Sequence, residues 1–342
     1  MGGFRIRGRL GTLLAAAVLV MATIGLTVAA PPQAAHADVP DAVATVEPAT
    51  ARVDTVINYQ HAIGAGTGIV LDANGALLTN FHVVQGADSV AATVGGKPYR
   101  ADLVGYDRRH DIALLQLRGA ADLPVAPIGD SSRLAVGDEA VALGNADGSG
   151  SALTHEVGHI IGLGRTISAK DELTGSSEQV TGLIQVAAPV RAGDSGGPLV
   201  SADGRVIGMT TAATLNYKMG PGGEGFAIPI NDALAVAGQI RSRTPSDDVH
   251  IGQPTLLGVG VGGPDQQSQL PGVLIRDVIS GGPAQQAGLL PGDVLVSIDS
   301  VTVSSASALT SVLDRHYPGD VVDLFWIDRA GQQHTGKAAL TS

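Results

Sequence analysis

The chain has 342 residues and carries 21 Lys and Arg against 32 Asp and Glu, a net charge of −11 that argues against nucleic acid and anionic membranes as partners. Cysteine is absent, which excludes thiol catalysis, thiolate metal sites and disulfide staples, so stability rests on packing, and the length suits two domains that each bury a core. Glycine is abundant at 47 residues and aromatics make up only 3%; with β-branched runs bounded by Gly, Asp and Asn, this reads as a mainly β protein of short strands and tight turns.

Arg5, Arg7 and Arg9 precede an apolar run from Gly11 to Ala30, and Ala35-His36-Ala37 follows. These are the three parts of a secretory signal peptide (residues 1–37) cleaved after Ala37; the alternative is an uncleaved anchor, since residues 11–30 are just long enough to span a bilayer. The expected location is therefore secreted or in the cell envelope, with membrane contact only if that segment stays attached. Cleavage removes three of the 21 basic residues and none of the 32 acidic ones, for a net charge of −14. Residues 38–47, rich in Ala, Pro and Val, read as a flexible arm.

Strands are expected at Arg52–Ile57, Gly68–Asp72, Leu77–Asn80, Ile112–Leu117, Ala140–Leu143, Gly182–Gln185, Pro198–Val200 and Val206–Met209, with turn signals such as Asn74-Gly75 and Asp203-Gly204 between them. Asn231-Asp232 followed by Ala233, Leu234, Val236, Ala237 and Ile240 reads as a capped helix closing a first domain, residues 48–240. Residues 241–254 are polar with two prolines and read as a linker. In the second domain, residues 255–342, a strand is expected at Leu295–Ile298 and an amphipathic helix near Ser305–Arg315, with Leu309, Val312 and Leu313 on one face.

The segment Arg191-Ala192-Gly193-Asp194-Ser195-Gly196-Gly197 sets a serine in a glycine turn, which exposes a hydroxyl and aims backbone N–H groups at a developing oxyanion. A serine needs a base to take its proton and a third group to orient that base. His82, after an apolar run, and Asp111, in Asp107-Arg108-Arg109-His110-Asp111, supply candidates for base and orienter, and the chain order His, Asp, Ser is the chymotrypsin-like one. The N–H groups of Gly193 and Ser195 would form the oxyanion hole. An imidazole serves as base only when neutral, so activity is expected to fall as pH drops through about 6.5.

A rival motif, His155-Glu156-Val157-Gly158-His159, matches a zinc-protease signature that needs both histidines on one helical turn. Gly158, Ile160, Ile161, Gly162 and Gly164 favour a strand instead, on which the two histidines would stand about 13 Å apart, too far for one zinc. No metal and no cofactor are expected. His61, His110, His250, His316 and His334 read as surface residues.

The three segments around His82, Asp111 and Ser195, with Gly64-Ala65-Gly66-Thr67-Gly68-Ile69-Val70-Leu71 and Gly225-Phe226-Ala227-Ile228-Pro229-Ile230, resemble those of the HtrA/Deg serine proteases. Leu256-Leu257-Gly258-Val259 resembles the carboxylate-binding loop of PDZ domains, and Pro283–Leu295 resembles their Ala-Gly-Leu…Gly-Asp core. The resemblance implies a chymotrypsin-like double β-barrel followed by one PDZ domain. It also implies cleavage of unfolded or damaged polypeptides outside the cytoplasm, and homo-oligomers that are trimers in this family. Peptide C-termini or extended strands would be recognised at Leu257, Gly258 and Val259. Glu224–Pro229 and Met209–Ala212 would wall a small apolar specificity pocket, with Tyr217 and Lys218 in a loop of unassigned place. Asp194 stands where many relatives have Asn, which leaves its partner open. The alternative reading is a latent protease acting as a peptide-binding or chaperone-like scaffold.

Overall fold

The computed structural model describes residues 39–57, 62–148, 152–170, 177–211, 223–262 and 271–342. The expected signal segment and the loop with Tyr217 and Lys218 lie outside the described residues. No helix among those described is long and apolar enough to cross a membrane.

Six antiparallel strands form the first barrel: β1 (Thr50–Ile57), β2 (Ala62–Val70), β3 (Ala76–Thr79), β4 (Ser89–Val94), β5 (Lys97–Asp107) and β6 (Ile112–Leu117). They run in the order β5-β4-β1-β2-β3-β6, and β5 pairs with β6 to close the ring. In β1, Ala51, Val53 and Thr55 turn inward between Arg52 and Asp54, the period-two pattern of a half-buried strand. Strand β3 is wholly buried and β6 is buried except at Gln116, and the short helix α2 (Phe81–Val84) packs against β1, β2 and β6.

The second barrel is closed by β7 (Glu139–Gly144), β8 (Thr154–Lys170), β9 (Ser177–Val186), β10 (Pro198–Ser201), β11 (Val206–Thr211) and β12 (Gly225–Pro229), in the order β10-β11-β12-β9-β8-β7. Helix α3 (Ile230–Arg241) follows and buries Ile230, Ala233, Ala237 and Ile240, each isoleucine contributing about 1.5–3 kcal/mol of apolar burial. The helix starts two residues earlier than a cap at Asn231 requires: Pro229 precedes it with no side-chain cap, and Asn231 Nδ2 donates to Asp130 Oδ1 at 2.8 Å instead.

Two segments depart from expectation. Where a flexible arm was expected over 38–47, the described residues are ordered: Val39–Val46 form a helix, α1, whose Ala42, Val43 and Val46 are buried in the core of the first domain. The i, i+1, i+4 spacing of those small apolar residues gives the helix a face to bury, which outweighs the nearby prolines. Within 241–254, Val249–Ile251 form a strand, β13, paired antiparallel with β5. Gly105 on β5 permits this, because a Cβ there would lie 2.6 Å from His250 O and 2.8 Å from Ile240 Cγ2.

The second domain holds β14 (Val259–Val261), β15 (Val273–Val278), β16 (Val294–Ile298), β17 (Val301–Thr302), β18 (Val321–Ile327) and β19 (Gln333–Ala339) in one antiparallel sheet. Helix α4 (Pro283–Ala287) begins on proline and ends at Gly288, whose φ of 100° only glycine adopts without strain. Helix α5 (Ala306–Leu313) is capped by Ser305, whose hydroxyl accepts from Ala308 N at 3.1 Å, and buries Leu309, Val312 and Leu313 as its spacing predicts.

Candidate active site

Asn80 joins β3 to α2 and its side-chain amide donates to Asp111 O at 2.9 Å, fastening the start of α2 to the turn that carries Asp111. His82 then meets the Asp111 carboxylate twice. Its backbone N–H donates to Oδ1 at 3.0 Å, and its Nδ1 lies 2.8 Å from Oδ2. This selects the tautomer with the proton on Nδ1, leaving Nε2 as the acceptor. Asp111 is 7% exposed and adopts a left-handed φ of 57°, a conformation Asp tolerates better than most residues.

Ser195 is 3% exposed and its carbonyl accepts from Thr67 N at 2.8 Å. The serine turn and the aspartate are tied to neighbouring residues of β11. Gly196 N donates to Thr210 O at 2.8 Å and Thr210 Oγ1 donates to Asp194 O at 2.6 Å, while Thr211 Oγ1 donates to Asp111 Oδ2 at 3.1 Å. One dipeptide of the second barrel therefore holds both the serine turn and the carboxylate that orients His82. Sequence reasoning named Thr210 and Thr211 only as pocket walls and gave Asn80 no role.

Residues 191–194 make a hydrogen-bonded turn, Asp194 N to Arg191 O at 3.0 Å, with Gly193 at φ 94°. A positive φ at the third position is the mark of a type II turn. The partner of Asp194 is found within that turn: Oδ2 accepts from Arg191 N at 2.8 Å, and Oδ1 lies 3.4 Å from Thr154 Oγ1. Asp194 is 2% exposed, and burial pushes its carboxyl above the ordinary range despite those donors. Gly144 makes room for it, since a Cβ there would come within 2.3 Å of Asp194 Oδ1.

The zinc-protease-like segment lies on strand β8, as its glycines and isoleucines predict, with His155 opposite Leu143 and His159 opposite Glu139. His155, Val157 and His159 face solvent, and the inward residues address the serine loop. Thr154 reaches Asp194, Glu156 forms an ion pair with Arg191, and a Cβ at Gly158 would lie 2.2 Å from Ala187 O. Among the described residues, no three His, Asp or Glu stand together as a metal site.

His250 is a correction: it is 2% exposed rather than on the surface, stacked between Tyr106 at 5.0 Å and Tyr317 at 4.7 Å. Its ring nitrogens lie 2.8 and 3.0 Å from the carbonyls of Asp314 and Gln253. The burial follows from β13, which carries His250 onto the barrel. In the second domain, the carbonyls of Leu257 and Gly258 accept from Ala284 N and Ile279 N, both at 2.9 Å. Gly258 has φ 78°, and Val259 begins β14, so the three residues form a turn at the head of an edge strand.

Residues 66–209 match the trypsin-like peptidase domain family and residues 255–335 the PDZ domain family. A serine protease Do-like HtrA of Lactococcus lactis is 32% identical over 297 residues, 81% of this chain and 70% of that protein. A "Probable periplasmic serine protease do/HhoA-like" of Haemophilus influenzae is 32% identical over 289 residues, 81% of this chain and 58% of that protein. The chain spans about three fifths of the length of several other curated relatives. Among solved structures, an HtrA-type protease AlgW with tripeptide is 30% identical, with a TM-score of 0.50 over 88% of this chain and 95% of that one. The chain belongs to the HtrA-type serine protease family, built as a trypsin-like double barrel followed by one PDZ domain.

Proposed function

We propose that the protein is an exported serine endopeptidase that cleaves unfolded or damaged polypeptides. The observation that carries the reading is the double contact of His82 with the Asp111 carboxylate, at 3.0 and 2.8 Å, beside a serine turn anchored to the same strand. Ser195 Oγ attacks the scissile carbonyl while His82 Nε2 takes its proton. The imidazolium that forms is stabilised by Asp111 and then protonates the leaving amine. The N–H groups of Gly193 and Ser195 receive the oxyanion, each such donor being worth about 100–1000-fold in turnover. Water then repeats the sequence on the acyl-enzyme.

Substrate side chains before the scissile bond are expected to be small and apolar. Val190 packs over Gly225, where a Cβ would lie 2.2 Å from Val190 Cγ2, and the Glu224 carboxylate is engaged by Gln185 Nε2 at 2.9 Å. A basic residue would find no free acid among the described walls. The turn at Leu257, Gly258 and Val259 suits a peptide terminus, added as a strand beside β14. Export agrees with the N-terminal segment and with the periplasmic naming of a relative.

The test is intact mass of the full chain after treatment with a fluorophosphonate in EDTA. One stoichiometric adduct on Ser195, lost in Ser195→Ala, supports the reading. Absence of any adduct, with casein left intact, sinks it and leaves a peptide-binding scaffold.

A further inference from the structure

We infer that Thr67 is a positioning residue for the oxyanion hole, acting through Gly193; this rests on the hydrolase reading above. Thr67 lies on β2 of the first barrel and is fully buried. Its hydroxyl donates to Gly193 O at 2.7 Å and accepts from Asn145 N at 2.9 Å. Because the Asn145 N–H occupies a lone pair of that oxygen, the hydroxyl proton is directed to Gly193. The backbone N–H of the same residue donates to Ser195 O at 2.8 Å. One side chain and its own amide thus grip the carbonyls of both residues whose N–H groups would meet the oxyanion.

The physical need for such a grip lies in glycine. A turn through residues 191–194 can exist as type I or type II, which differ by rotation of the peptide joining Ala192 and Gly193, and glycine permits both. In the type I form Gly193 would take a negative φ and its N–H would point away from the hole. The two forms share the Asp194 N to Arg191 O bond, so that bond does not choose between them; what the Thr67 hydroxyl adds is a fixed place for the Gly193 carbonyl, and with it for the residue whose N–H would meet the oxyanion. The hydroxyl comes from the other barrel, so it also fixes the turn relative to the domain half that carries His82 and Asp111. Packing leaves no slack: a Cβ at Gly196 would lie 2.2 Å from Thr67 O, and one at Gly197 3.1 Å from Thr67 Cγ2.

The experiment compares Thr67→Val, which keeps the shape and removes the hydroxyl, with Thr67→Ser, which keeps the hydroxyl, both in the full chain. Thr67→Val is expected to lower kcat on a peptide substrate about 10–100-fold while KM stays within about twofold, and to weaken binding of a peptide boronate by a similar factor. Thr67→Ser is expected to stay within about threefold of wild type in both. Thr67→Ala removes the same hydroxyl with less bulk and replaces the valine variant if that one does not fold. Wild-type turnover without the hydroxyl, or equal losses in the serine and valine variants, overturns the inference. If the wild type itself does not react with fluorophosphonate, the hydrolase reading fails separately. The positioning role is then read from amide hydrogen exchange at Asp194, where faster exchange in Thr67→Val supports it and unchanged exchange overturns it.

Discussion

Asp314, the residue that closes helix α5 of the PDZ domain, accepts a 2.5 Å hydrogen bond from the hydroxyl of Tyr106 on strand β5 of the protease domain. Arg108 Nε donates to the same carboxylate at 2.7 Å, and both donors lie against Phe81: the Tyr106 ring stacks on it at 4.4 Å and the Arg108 guanidinium sits over it at 4.6 Å. Phe81 precedes His82. The two domains therefore meet at a point one residue from the proposed base. Burial, reinforced by Asp314, holds the Tyr106 phenol well above its ordinary range, so it remains a donor in alkaline solution.

Asp314→Ala is expected to remove the carboxylate that Tyr106 and Arg108 share, at a cost of about 1.5–3 kcal/mol for a charge-assisted contact. The thermal midpoint falls and amide exchange rises at residues 249–253 and 314–317, read by mass spectrometry. Unchanged exchange there would mean that the contact does not hold the domains. The Tyr106 phenol gives a second check with a definite sign. Its raised value means that the unfolded chain loses this proton first, so its contribution to stability is intact below about pH 10 and declines above it. Tyr106→Phe removes that decline.

Asp194 supplies a stability prediction of the same sign in a lower pH range. Its carboxyl is raised by burial, so protonation favours the folded state; that contribution is complete below the unfolded value near 3.8 and is lost as pH rises through the folded value. Asp194→Asn retains an oxygen for Arg191 N and carries no charge to desolvate. It is expected to melt at a higher temperature than wild type at pH 7, with the difference narrowing toward pH 4. A lower midpoint at pH 7 would show that the charge is needed, through Arg191, more than its burial costs.

The zinc-like motif makes a clean discriminating test because its members have separate roles on β8. His155→Ala and His159→Ala change solvent-facing positions and are expected to leave peptide cleavage within about twofold of wild type. Glu156→Gln removes the ion pair with Arg191 and is expected to lower kcat by up to about tenfold without making activity sensitive to EDTA. Loss of cleavage in all three variants, with restoration by added zinc, would overturn the serine mechanism.

The barrels were legible because strand periodicity and glycine turns are local: Ile112–Leu117 coincides with β6, and the other expected strands fall within observed ones or within two residues of them. The serine turn, the histidine and the aspartate could be named from residue type and order. What could not be read depends on distant chain. Thr67 reaches Gly193 across 126 positions and Thr211 reaches Asp111 across 100, and a threonine on a strand carries no sign of which carbonyl it will meet. Residues 241–254 have linker composition, yet Gly105 opens a place on β5 for Val249–Ile251, and that pairing buries His250. Helix α1 was not legible because eight residues with Pro40 in the first turn and Pro48 just beyond the end make a weak local signal, and its formation depends on the core it covers.

Thr211 offers the sharpest test of how the proposed catalytic carboxylate is tuned. Asp111 receives donors from His82 N, from His82 Nδ1 and from the Thr211 hydroxyl, the last at 3.1 Å. Thr211→Val removes one of them with little change of shape. The carboxylate then carries more of its charge toward His82 and stabilises the imidazolium more strongly. In the proposed mechanism the neutral imidazole is the active form, so the acid limb of the kcat/KM profile is expected to move to higher pH. With one of its three donors gone the carboxylate is held less firmly in place, and kcat at pH 8 should fall by about 3–10-fold with KM nearly constant. A reduced rate with an unmoved acid limb would assign Thr211 to packing alone, and an unchanged rate would mean that His82 is oriented without it.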